Sequence, residues 1–234
     1  MSRTQLAVEP ELPDRGFYAI GASLIAIAAL YPVLGFGTAG LIAWTVSFYA
    51  LLAALANRQA QVQSRKSVTR ALHAFALAVA VAVVVCHAGN ERGHGWTLVA
   101  VNSLILAYLV LTTAGLASAV FGSESTSPGV LCGAACVYVL IGLTWSYAYH
   151  VLHGLGVTTP LASPTAATDP AMRHAEILYF SFVTLSTVGY GDITPDTLVL
   201  RVTAASEAIT GQVFLTILVA RVVGLHVRSD RRTS

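Results

Sequence analysis

Apolar residues fill this chain in long uninterrupted blocks, and charged side chains are confined to the gaps between them. Residues 16–57, 71–90, 93–123 and 125–168 contain no Asp, Glu, Lys or Arg at all. A helix needs about 20 apolar residues to cross the hydrocarbon core of a bilayer, so each block holds one or two spans. The first block divides around Gly35, Gly37 and Gly40, where helix-poor residues allow a turn, which gives spans at 17–34 and 41–56. Further spans are predicted at 71–87, 96–121 and 130–153, with a short polar link at 122–129. Residues 154–172 are rich in Thr, Pro, Ala and Ser and read as an exposed loop. Residues 175–186 are apolar and aromatic but too short to cross a bilayer, and are read as a half-helix that enters and stops. Residues 197–225 are long enough for a sixth span.

Composition agrees with this pattern. Charged residues make up 10% of the chain and apolar ones 56%, against roughly 25% and 45–50% in soluble domains. The net charge of +2, without a basic stripe interleaved with aromatics, excludes nucleic acid as an expected partner. Cys86, Cys132 and Cys136 lie inside apolar blocks without His or acidic neighbours at ligand spacing, so they read as buried free thiols. His73, His87 and Asn102 find no third ligand for a metal. Neither a metal motif nor a Ser/His/Asp set is present, so an enzyme is not expected, nor any cofactor. The N-terminus carries Glu9, Glu11 and Asp14 and lacks the pattern of a cleaved leader.

Basic residues favour cytoplasmic loops, and this fixes an expected orientation. With the N-terminus inside, Arg3, Arg15, Arg58, Arg65, Lys66, Arg70, Arg221, Arg228, Arg231 and Arg232 are cytoplasmic, ten of the thirteen. The sequence is thus consistent with a multi-pass protein of a cell membrane, both ends in the cytoplasm and the half-helix on the outer side.

Between the half-helix and the sixth span stands Thr187-Val188-Gly189-Tyr190-Gly191-Asp192. Two glycines in three residues weaken a helix, and both can adopt positive φ, which allows successive carbonyls to point the same way. In lipid, such backbone is tolerated only where protein buries it or where it lines a water-filled path. With its flanks, Val183 to Pro195, the segment resembles the pore-helix end, filter and following turn of potassium channels. That resemblance implies an all-α membrane protein with six transmembrane helices, a re-entrant pore helix and a TVGYG filter, assembled with three identical subunits as a homotetramer among membrane lipids. It implies that K+ binds at Thr187, Val188, Gly189 and Tyr190, with Gly191 completing the filter. It also places a hinge glycine at Gly211 and a cavity-lining face at Gln212, Leu215, Val219 and Val223, and it makes Tyr179 the expected donor to Asp192 behind the filter.

The resulting organisation is a cytoplasmic N-terminus (1–15), a four-helix domain like a voltage sensor without gating charges (16–122), a linker (123–129), a pore domain (130–226) and a cytoplasmic tail (227–234). The fourth span, 96–121, has no Lys or Arg, so steep voltage dependence is not expected. The first four helices are expected to pack beside their own subunit's pore. With only about ten residues after the sixth span, no nucleotide-binding or calcium-binding regulatory domain is expected there. Gly211 reads equally as a hinge or as a packing glycine. Glu207, the ionisable residue inside the sixth span, reads either as a partner of the pore helix or filter backbone or as a carboxylate near the outer mouth, reached by water or Arg201. The expected function is a potassium-selective channel subunit that conducts K+ passively; a regulatory or non-conducting subunit and a potassium transporter component are the alternatives.

Overall fold

The computed structural model describes residues 95–123, 127–157 and 170–233. The expected spans at 17–34, 41–56 and 71–87 lie outside the described residues, as do the N-terminal segment, His73, His87 and Cys86. Four helices are described: α1 (Gly95–Gly122), α2 (Pro128–Gly154), α3 (Pro170–Leu185) and α4 (Leu198–Thr233). Three contain stretches long and apolar enough to cross a membrane, Leu98–Gly122, Pro128–Gly154 and Leu198–Leu225. Helix α3, with 16 residues, rises only about 24 Å and does not.

The helix ends correct several expected boundaries, and prolines account for two of them. Pro128 lies in the first turn of α2, where its missing N–H is not needed, and the Ser127 side chain accepts a hydrogen bond from Val130 N at 3.4 Å. The polar link therefore ends at Ser127, ahead of the expected 129. Pro170 opens α3 in the same way, so the half-helix starts before the expected 175, and the loop expected over 154–172 loses both ends to helix. Helix α4 does not stop at the end of its apolar stretch. It continues through Arg228, Arg231 and Arg232 to Thr233, so most of the expected separate tail at 227–234 extends the helix, arginine being a good helix former.

Helix α1 packs along α2 of the same chain, with Ile105, Leu109, Leu116 and Val120 against Ala134, Val137, Leu140 and Leu143. Of the four helices expected to lie beside their own subunit's pore, this is the one within the described residues, and it packs on the next helix of its own chain. The buried Thr112 hydroxyl is satisfied within its own helix, donating to Tyr108 O at 2.8 Å. The far end of α1 is tied to α4. The Arg221 guanidinium donates to the carbonyls of Val120 and Ser123 and lies 5.5 Å from the centroid of the Phe121 ring. Both carbonyls lie at the C-terminal end of α1, where Val120 O also accepts from Ser123 N at 3.4 Å, and a cation suits the negative end of the helix dipole.

Tyr138, Gly142, Trp145 and Tyr149 follow one another at spacings of four, three and four, which puts them on one face of α2. That face meets α3. Gly142 permits the contact, because a Cβ there would lie 2.6 Å from the Phe182 ring. Tyr149 packs with Ile177 and Phe180 of α3 and Leu200 of α4. The rings of His150 and His174 stack at 4.5 Å where α2 and α3 approach their connection. Helix α4 is the least covered span: 11% of its most apolar stretch is buried by the rest of the chain, against 50% for α2. Its exposed Val202, Ile209, Val213 and Ile217 need lipid or further protein to cover them.

Candidate functional site

The end of α3 turns directly into the 187–192 segment through a defined hydrogen-bonded cap. Val188 N donates to Val183 O at 3.0 Å and Thr187 N donates to Thr184 O at 2.9 Å, the pair of bonds that ends a helix when the residue after the cap is left-handed. That residue is Thr187, with φ of 57°, the one non-glycine among the described residues in this region. Glycine is the usual occupant of the position, since a β-branched side chain is disfavoured there.

From Thr187 the backbone alternates. Gly189 has φ of 56° and Gly191 of 79°, while Val188 and Tyr190 keep negative φ. In an ordinary strand successive carbonyls point to opposite sides. Alternating left- and right-handed residues cancel that reversal, so consecutive carbonyls can face one side. Glycine at 189 and 191 has the required freedom. Thr187 joins the alternation against the preference of its own side chain, which the sequence did not reveal.

Three side chains, Tyr179, Tyr138 and Gln212, brace this segment from neighbouring elements. The Tyr179 hydroxyl donates to Asp192 Oδ2 at 2.7 Å, and Ile193 N donates to Asp192 Oδ1 at 3.0 Å. The Tyr179 hydrogen bond is the chief reason that the Asp192 carboxyl sits below its ordinary range, and the same bond pushes the Tyr179 hydroxyl up to about 12. The Tyr179 and Tyr190 rings stack 6.5 Å apart. Behind the start of the segment, the Tyr138 hydroxyl donates to Leu185 O at 3.2 Å, and Gln212 Nε2 donates to Thr187 Oγ1 at 3.1 Å.

Gly211 faces the same carbonyl. A Cβ there would run into Leu185 O, a backbone atom that cannot step aside, so the absence of a side chain is what lets α4 cross the end of α3. This close approach gives Gly211 a packing role. Gly211→Ala is expected to separate the two helices at a cost of roughly 1–3 kcal/mol, lowering the melting temperature of the detergent-solubilised protein. An unchanged melt would mean that the helices do not approach this closely. Gln212, Leu215, Val219 and Val223 are left uncovered by their own chain.

Glu207 is fully buried, with 0% of its surface exposed, and joins three helices. The Tyr149 hydroxyl of α2 donates to Oε2 at 2.6 Å, and Ser181 Oγ of α3 lies 2.5 Å from Oε1 and 2.8 Å from Gly142 O. Ser181 has one proton for two acceptors. Both short contacts are hydrogen bonds when the proton between Oε1 and Oγ belongs to the carboxyl. Arg201 takes no part; its Nε donates to Pro195 O at 3.2 Å and the side chain is exposed. The reading of Glu207 as a water-reached carboxylate near Arg201 is thus corrected: its partners are the Ser181 side chain and Tyr149, not solvent and not the segment's backbone.

Ser181, Tyr149 and Tyr138 were not singled out from the sequence. The signal for the tyrosines was the single-face spacing along α2, and for Ser181 its position as the one non-aromatic residue within Tyr179-Phe180-Ser181-Phe182. Among the described residues no group of three or more His, Cys, Asp or Glu side chains converges as a metal site. Neither Cys132 nor Cys136 forms a disulfide among the described residues.

Residues 149–227 match the family described as "Ion channel". The chain is 40% identical over 72 residues to two pore potassium channel c of Oryza sativa subsp. japonica, covering 30% of this chain and 16% of that protein. It is 50% identical over 54 residues to two-pore potassium channel 4 of Arabidopsis thaliana, covering 23% of this chain and 19% of the relative. It is 36% identical over 94 residues to protein LctB of Geobacillus stearothermophilus, covering 40% of this chain and 66% of LctB. The match therefore spans less than a fifth of each plant protein. No solved structure matches the chain.

Proposed function

We propose that this chain, which belongs to the potassium channel family through residues 149–227, is one subunit of a homotetramer that passes K+ passively across a membrane. The observation that carries this reading is the alternation of left-handed φ at Thr187, Gly189 and Gly191. It suits a strand whose carbonyls line one side, and four such strands around an axis make rings of oxygen that replace an ion's hydration shell. The carbonyls of Thr187, Val188, Gly189 and Tyr190, with the Thr187 hydroxyl, form the ion sites. One chain supplies one strand, so closure of the ring needs cyclic fourfold symmetry. The uncovered apolar surface of α4 is consistent with neighbours at that axis, and Gln212, Leu215, Val219 and Val223 then line the cavity below the filter. Helix α1 has no Lys or Arg, so the channel opens without the charge movement of a voltage sensor. Both termini lie in the cytoplasm.

Rubidium uptake into liposomes containing the purified protein tests this. Uptake that is blocked by barium and absent for sodium is the expected result, with a native mass of four times the 24.5 kDa chain. Equal sodium uptake would remove selectivity, and no uptake at any pH or voltage would favour a regulatory subunit.

Asp192 and Tyr179 hold the outer end of the filter in this reading. Because the folded-state pKa of Asp192 is depressed, its stabilising contribution is complete above the ordinary carboxylate range and is lost as pH falls through the depressed value. Tyr179→Phe is therefore expected to hasten inactivation in single-channel records at neutral external pH, and wild type should behave likewise only under acid below that range. Matching records for the two proteins at neutral pH would remove the brace.

A further inference from the structure

Thr187 occupies a backbone position where glycine is the ordinary residue, with φ of 57°. A strained side chain at such a place calls for something only that side chain supplies. Here it is the hydroxyl. Its Oγ1 accepts a hydrogen bond from Gln212 Nε2 at 3.1 Å, 25 residues away on α4. Gln212 can make this reach because its neighbour Gly211 brings the α4 backbone against Leu185 O, two residues before Thr187. Both Thr187 and Gln212 are uncovered by their own chain, on the side where the filter would meet the cavity.

We infer that Gln212 is a positioning residue for the innermost cation site, holding the Thr187 hydroxyl so that its remaining lone pair faces the ion. A threonine oxygen has two lone pairs and one proton. The amide N–H takes one lone pair and thereby fixes where the other points. Without it, the hydroxyl is free to turn its proton toward the path and repel a cation. This rests on the reading of 187–192 as a potassium filter, and it adds a ligand-orienting contact from the inner helix. The site takes a dehydrated K+-sized cation, for which barium is a probe of similar radius and higher charge.

The test is a double-mutant cycle on barium affinity with the full-length protein, using Gln212→Met and Thr187→Val. Barium is applied from the cytoplasmic side to reconstituted channels, and in parallel its thermal stabilisation of the detergent-solubilised protein is measured, which reads binding even in a variant that does not conduct. Gln212→Met is expected to weaken barium about tenfold, the size of one hydrogen bond to a site that binds charge. In the Thr187→Val background the same substitution should change nothing further, because the hydroxyl that it orients is gone. Wild-type affinity in Gln212→Met, or losses that add in the double variant, would overturn the inference. Failure of the wild-type protein to pass potassium would instead overturn the channel reading, so the two failures are separable.

Discussion

Glu207→Ala is expected to prevent the accumulation of assembled protein, whereas Glu207→Gln is expected to preserve it. Alanine leaves the buried Tyr149 hydroxyl beside a void with no acceptor and removes the partner of Ser181 Oγ, which keeps Gly142 O as its acceptor. The stranded hydroxyl costs about 1–3 kcal/mol, and the lost side-chain volume adds to that. The sum, roughly 3–6 kcal/mol, rivals the 5–15 kcal/mol that holds typical domains together. Glutamine keeps the shape and both contacts: its carbonyl accepts from Tyr149, and its NH2 donates to Ser181, which in turn donates to Gly142 O. Size-exclusion profiles and thermal melts of the two purified variants decide the matter. Alanine melting with wild type would show that the cluster contributes little, and glutamine collapsing with alanine would show that the carboxyl must carry charge.

Gly189→Ala is expected to abolish potassium flux while leaving the helices folded. At φ of 56° an alanine Cβ crowds the following carbonyl, at a cost of roughly 1–2 kcal/mol in each subunit, or about 4–8 kcal/mol over a ring of four. Peptide planes that flip to relieve this turn their carbonyls away from the axis and leave a gap in the rings. Flux collapses while the melting temperature of α1 and α2 changes little, since no atom lies within 4 Å of the added Cβ in the chain itself. Sustained potassium uptake by this variant would mean that carbonyl alternation is not what conducts.

What the sequence exposed and what it hid divide along a physical line. The 187–192 segment and the half-helix before it were legible, because glycine freedom and length against bilayer thickness are local properties. Three spans were legible for the same reason, since apolar blocks need no partner to be recognised. Helix ends were less so: Pro128 and Pro170 punctuate a chain read as loop, yet both sit where a helix can begin. The left-handed Thr187 was not legible at all. Its residue type argues against the conformation, which is imposed by the cap at the end of α3 and the reach of Gln212. The Glu207 cluster was half-visible, as a carboxyl in an apolar span for which the half-helix was one expected partner, without the residue being named. Its partners lie 26 and 58 residues away on two other helices, and only the crossing of α2, α3 and α4 brings them together.

The crossing also explains how the 187–192 segment is supported. Leu185 O is contacted by Tyr138 from α2 and approached by Gly211 of α4, so the last turn of α3 is held from both sides. Phe214 of α4 lies 6.0 Å from Tyr138 and 5.9 Å from Phe121 of α1. With Arg221 over Phe121, this makes a continuous packed path from the end of α1 to the base of the segment.

The most direct measurement is the reversal potential of the purified protein in a planar bilayer, with potassium on one side and sodium on the other at equal concentration. Carbonyl rings built from Thr187, Val188, Gly189 and Tyr190 predict a potential displaced strongly toward the potassium equilibrium value. A reversal potential near zero, with measurable current, would contradict a potassium filter at 187–192.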